Sequence, residues 1–148
     1  MNLKTQLEND MKDALRAKDE LRKRTLRMAI SAIKFAEIEK GGALDEQELI
    51  GIMQKEVKSR NEAIADAERA KRPDLAQASQ AEIGVLEAYL PQPFSQAELE
   101  ALARQAIQEA GASSPREMGQ VMKLLVPRLQ GRATGGEASQ AVRKLLQE

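Results

Sequence analysis

Pro91-Gln92-Pro93-Phe94-Ser95-Gln96-Ala97-Glu98-Leu99 is the stretch on which the fold turns. Two prolines in three residues cannot continue a helix, because each lacks the backbone N–H and restricts the residue before it to extended conformations. Ser95 followed by Glu98 is then a capping box, with each side chain able to satisfy a free N–H at the start of a new helix. One helical array ends here and another begins, so the sequence reads as two helical domains, 1–92 and 93–148.

Downstream, Leu99, Leu102, Ala103, Ala106, Ile107 and Ala110 keep helical spacing, and Gly111 stands where a left-handed C-terminal residue is needed. Ser114, Pro115 and Glu117 signal a second start, with Met118, Met122, Leu125 and Leu129 as the inner stripe and Pro127 expected to kink or shorten the helix. Thr134 with Glu137 signals a third, ahead of Ala138, Ala141, Val142, Leu145 and Leu146. The back of the chain is therefore expected to be a three-helix bundle.

Upstream, about four helices are expected. Leu3, Leu7, Met11 and Leu15 form the stripe of the first, which should end near Lys18. From about Asp19 to Lys40 the apolar residues, among them Leu26, Met28, Ile30, Ile33, Phe35 and Ile38, cover a wide arc, which predicts a central helix. Its polar strip is Arg24, Arg27, Ser31 and Lys34, on one face. Gly41-Gly42 ends it, and Asp45 with Glu48 opens a long helix through Ile50, Met53, Val57 and Ile64 to about Lys71. Pro73 starts the fourth, with Leu75, Ile83, Leu86 and Leu90 facing inward. Ala, Leu, Glu, Gln, Lys and Arg dominate, and no strand-like alternation occurs, so the fold class is all-α.

Composition narrows the chemistry. With 148 residues and neither Cys nor His, the chain has no disulfide, thiolate or imidazole to work with. Its many carboxylates show no acid/base pairing, and neither a catalytic residue, a metal site nor a cofactor is expected. Residues 1–15 mix charged with apolar side chains, no run approaches the roughly 20 apolar residues of a membrane span, and a cytoplasmic monomer is the neutral expectation. Lys plus Arg (23) equal Asp plus Glu (23), so any nucleic-acid contact must come from a local patch. Only Phe35, Tyr89 and Phe94 are aromatic, which argues against base-stacking platforms and leaves structured RNA read by shape and phosphate.

The candidate patch lies in the tail. After Ala110 the cations Arg116, Lys123, Arg128, Arg132, Arg143 and Lys144 face only Glu117, Glu137 and Glu148. Gly119 interrupts a helix at a cost of about 1 kcal/mol relative to Ala, which implies close approach of something, either a neighbouring helix or a ligand phosphate. Gly131, Gly135 and Gly136 surround Arg132 before a helix N-terminus, where amides can hold an anion, although a plain interhelical turn has the same composition.

Taken together, Tyr89-Leu90-Pro91, Ser95 to Leu99, Gly111, Met118-Gly119-Gln120-Val121-Met122-Lys123, Gly131-Arg132 and Val142-Arg143-Lys144-Leu145-Leu146 resemble the GatB/YqeY family, and Arg24-Thr25-Leu26-Arg27 with Lys55-Glu56-Val57-Lys58-Ser59-Arg60 extends the resemblance to stand-alone YqeY proteins. The resemblance implies an all-α protein whose back half is the tail domain of GatB, a subunit of the glutamine-dependent tRNA amidotransferase, where that domain helps to hold tRNA. What it implies here is a tRNA-binding accessory module using Arg116, Gly119, Lys123, Arg128, Gly131, Arg132, Arg143 and Lys144. A helical adaptor for an amidotransferase or an aminoacyl-tRNA synthetase is the alternative, and a carbon–nitrogen ligase with glutamine as amido-N-donor the weaker one. Amide transfer needs ATP activation and a glutaminase, for which the chain offers neither a phosphate loop nor a nucleophile with its base. Thr134 stands where the family loop usually carries an acid, and Thr retains the capping ability.

Overall fold

The structure, a computed structural model, describes residues 2–147. Glu148, counted above with the acids of the tail, lies outside them. Among the described residues there are seven α-helices and no strand. Two compact units meet between Leu90 and Pro91.

The first unit holds α1 (Leu3–Arg16), α2 (Glu20–Lys40), α3 (Glu46–Arg69) and α4 (Pro73–Glu87). Three of these helices start on a short side chain that accepts an N–H three residues ahead: Asn2 from Thr5, Asp19 from Arg22 and Asp45 from Glu48. Gly41, at φ +81°, closes α2 in the left-handed region, where a β-carbon would be strained. The core is built from Leu7, Leu26, Ala29, Ile30, Ile33, Leu49, Met53 and Leu86.

The inward faces differ from the sequence reading in three places. Leu15 is 58% exposed while Ala14 is buried, because a four-residue step overshoots the helical turn and the stripe drifts off the core within three steps. Met28, Phe35 and Ile38, expected inside, are 49%, 65% and 78% exposed. The arc of α2 is wider than the surface its neighbours cover, and these three share its outer side. Leu75 is likewise exposed near the start of α4, whose inward positions are Ile83 and Leu86.

Arg60 of α3 is the one charged residue buried in this unit among those described, at 5% exposure. Its Nε donates to Glu82 of α4 at 2.9 Å and its Nη1 to Glu56 at 2.7 Å, while Arg24 of α2 donates to the other oxygen of Glu82 at 3.2 Å. Three helices are thus joined through one carboxylate.

Tyr89, just past α4, donates its hydroxyl to Asp10 of α1 at 2.6 Å. Burial, reinforced by this bond, pushes the phenol up to about 12. The folded value lies above the unfolded one, so the contribution to stability is complete below about pH 10 and is lost as pH rises toward 12. Tyr89 is the only tyrosine, so its ultraviolet absorbance titration reads this directly. The midpoint should fall well above 10 in native protein and return to about 10 in denaturant. A native midpoint near 10, with the helices intact by circular dichroism, would mean that the phenol is solvated.

The second unit holds α5 (Gln96–Ala110), a 3₁₀ turn (Pro115–Glu117), α6 (Met118–Leu129) and α7 (Gly135–Leu146). Ser95 accepts the Glu98 N–H at 3.1 Å and Gly111 closes α5 at φ +67°. Ser114 does not cap: the Glu117 carboxylate instead accepts from the Ser113 N–H and hydroxyl, and Pro115 opens the 3₁₀ turn before α6. Val121, rather than Met118 or Met122, joins Leu125 and Leu129 as the buried stripe of α6. That helix runs only two residues past Pro127 and ends with Gln130 and Gly131 both at positive φ. Leu99, Ala103, Ala106, Val121, Leu125, Ala138, Ala141 and Val142 fill the centre of the bundle.

Candidate nucleic-acid interface

Seen residue by residue, the tail cations fall into two groups. Arg132 sits in the turn between α6 and α7 and is tied to its own unit through backbone and side chain. Its N–H donates to Leu129 O, its carbonyl accepts from Phe94 N, and its Nε donates to the Gln92 carbonyl at 2.8 Å. Its guanidinium also lies 4.1 Å from the Phe94 ring centroid and 3.4 Å from Glu98. The residue straps the connector 92–94 to the α6–α7 turn.

Arg128 pairs with Glu109 near the end of α5 at 2.5 Å, and Lys144 with Glu100 near its beginning at 3.3 Å. Those carboxylates are nine residues apart, about 14 Å along the helix. Gln96 and then Lys144 hold the Glu100 carboxyl below the usual carboxylate range. Arg128, Arg132 and Lys144 are therefore spread along α5 with carboxylate partners and are not gathered into one patch.

Arg116, Lys123 and Arg143 differ: all three are exposed, and no ion pair is recorded for them among the described residues. Gly119 and Lys123, four residues apart, share one face of α6, and Arg116 lies in the 3₁₀ turn just ahead of it. Arg128, five residues after Lys123, points about 140° away from it. Gly119 is exposed too, and a β-carbon built there meets nothing within 4 Å. Helix packing inside the unit is thus not what requires glycine at this position.

The glycine-rich turn is a capped helix start. Thr134 accepts the Glu137 N–H at 3.1 Å and donates its hydroxyl to the Glu137 carboxylate, so Thr does serve where the family loop carries an acid. Gly131 takes φ +76°, and Gly135 and Gly136 are exposed in the first turn of α7.

One feature of the first unit went unnoticed in the sequence. Between α2 and α3 lies a groove of about 900 Å³, with Ala32, Ala36, Leu44, Gly51 and Ile52 on its walls and Phe35 at its lip. Of its lining, Phe35 was expected inside as part of the apolar arc of α2. As for catalysis, no group of three or more acidic, Cys or His side chains able to hold a metal forms among the described residues. No helix among them is long and apolar enough to cross a membrane.

Comparison with known proteins fixes the kinship. The description "YqeY-like protein" matches residues 4–146, nearly the whole chain. This chain belongs to the YqeY family. Similar proteins include those named "Altered inheritance of mitochondria protein 41, mitochondrial" from three yeasts. The Lachancea thermotolerans protein is 36% identical over 74% of this chain and 60% of its own length. The Vanderwaltozyma polyspora protein is 39% identical over 57% and 46%, and the Kluyveromyces lactis protein 42% identical over 56% and 45%. The matches thus span about half the length of these relatives.

These relatives also correct the expectation of a cytoplasmic location, since their names place them in mitochondria. The mix of charged and apolar side chains in residues 1–15 speaks only to the apolar core of a secretory signal. Mitochondrial addresses are amphipathic and Arg-rich, so the missing apolar core does not bear on them.

Proposed function

We propose that this YqeY-family chain is a binding module without chemistry of its own, and that its second unit engages structured RNA, tRNA in the first place. The reading is carried by the Gly119, Lys123 face of α6 and by Arg116 in the turn before it. Two exposed cations without recorded carboxylate partners flank a glycine that no internal contact requires. A phosphate seated over Gly119 can approach the helix backbone closely, with a positive side chain on either side. Arg143 adds a further cation on α7.

This footprint is smaller than the one drawn from the sequence. Arg128, Arg132 and Lys144 would have to leave Glu109, Glu98 and Glu100 to reach a ligand, so their contribution is secondary. The scarcity of aromatic side chains favours a folded RNA over an unstacked single strand. The resemblance to the GatB tail domain supports tRNA as the class.

Bulk tRNA titrated by fluorescence anisotropy at two salt concentrations tests this. An Arg116→Glu, Lys123→Glu variant should bind at least about tenfold more weakly and show a shallower salt dependence, because fewer counterions are released. Gly119→Ala should weaken binding while stabilising α6 by about 0.5–1 kcal/mol, read from urea unfolding. Full affinity in the charge-reversed variant, or no tRNA binding by the wild type, would defeat the reading.

A further inference from the structure

We infer that the groove between α2 and α3 is the face through which two copies of this chain form a two-fold dimer, with Phe35 of each seated against the partner's Gly51. Such a contact is independent of the RNA reading, rests on the first unit alone and departs from the neutral expectation of a monomer. Two contacts fix how the groove walls are aligned. At one end Lys40 of α2 pairs with Glu48 of α3 at 2.9 Å, and at the other Arg60 of α3 donates to the sulfur of Met28 of α2 at 3.6 Å. From the first contact to the second is twelve residues on either helix, 40 back to 28 and 48 on to 60, so the two helices run antiparallel and in step. Between these contacts Ala36 lies level with Ile52, Glu37 with Gly51 and Ile33 with Lys55.

Charge names the occupant. Of the charged groups lining the groove, Glu48 is held by Lys40 and Glu56 by Arg60. Glu39 and Lys55 remain, both exposed and neither in an ion pair among the described residues. One free anion and one free cation thus stand six residue levels apart, about 9 Å along the groove. A foreign partner of either sign finds no net charge to match, whereas this pattern is its own complement. A two-fold axis normal to the groove at the level of Ala36 carries the level of Glu39 onto that of Ile33, so each Glu39 meets the partner's Lys55. The same axis carries the level of Phe35 onto that of Glu37, so each Phe35 meets the partner's Gly51. One operator therefore satisfies both pairings. Phe35 is free to make its contact, being 65% exposed at the lip, and a β-carbon at Gly51 would meet nothing within 4 Å. Ala32, Ala36 and Ile52 give the ring an apolar bed in a groove of about 900 Å³. Arg27 lies about 140° around α2 from Ala32, and Lys34 about 160° from Ala36, so neither cation enters the contact.

Sedimentation velocity of the full chain, followed from about 1 μM to about 1 mM, tests this. A reversible dimer is expected. Phe35→Glu and Gly51→Leu should each weaken it at least about tenfold. Neither should lower the unfolding midpoint, since Phe35 is mostly exposed and Gly51 faces open space. The charge pair separates this geometry from mere stickiness of an apolar groove. Glu39→Lys and Lys55→Glu should each weaken self-association by setting like charges together at both symmetric contacts. An equimolar mixture of these two variants should dimerise like the wild type, because each chain then meets opposite charges. A wild type that stays monomeric at about 1 mM would overturn the proposal and give the groove to a foreign protein segment or a lipid surface. A dimer that survives Phe35→Glu, or a mixture that associates no more tightly than its separate components, would overturn it as well.

Discussion

Arg60→Met should lower the stability of the protein by about 3 kcal/mol, with the urea midpoint falling and the slope unchanged. Removing the guanidinium strands two carboxylates that are themselves mostly shielded, since the Glu56 and Glu82 side chains are 19% and 16% exposed. Their residual contact with water sets the figure at the lower end of the usual range for a broken buried pair. The proof lies in the combination. Adding Glu56→Gln and Glu82→Gln to Arg60→Met removes the stranded charges and should recover most of the loss. If the triple variant is no more stable than the single one, Arg60 acts through packing of its aliphatic stem and not through charge. Arg24 also bears on the outcome: it retains Glu82 in the single variant and so prevents complete isolation of that carboxylate.

Leu125→Ala should cost about 3 kcal/mol in the second unit, where this side chain is fully buried. The bundle is small and its other central residues are mainly Ala and Val, so little bulk is available to collapse into the space left. Amide exchange in α5, α6 and α7 should accelerate together by about a hundredfold, the equivalent of that energy. Leu125→Met, which conserves volume, should cost less than about 1.5 kcal/mol. Equal effects of the two substitutions would show that the site is not tightly packed.

What could be read from the chain alone follows the range of each interaction. Helix starts are local, and Asp45 with Glu48, Ser95 with Glu98 and Thr134 with Glu137 all form the capping bonds their spacing implied. The all-α class followed from composition and these signals. Which arc of a helix is covered depends on its neighbours, so α2 gave no warning that Phe35 and Ile38 face outward. The partners of the cations were equally hidden. Arg60 finds Glu82 across 22 residues, Arg132 finds Gln92 across 40 and Lys144 finds Glu100 across 44. A run of Lys and Arg in a sequence carries no record of the carboxylates that neutralise it. Gly119 was legible as an anomaly, and the coordinates then removed internal packing as its reason.

The Arg132 strap has a consequence for the order in which the nascent chain acquires structure. Phe94 and Gln92 leave the ribosome some 40 residues before the side chain that fastens them. Until Arg132 clears the exit tunnel, the prolyl connector ahead of α5 has neither its ring contact nor its carbonyl partner, whereas α1 to α4 already possess every residue of their own core. Translation therefore completes the first unit while residues 92–94 of the second still lack their strap.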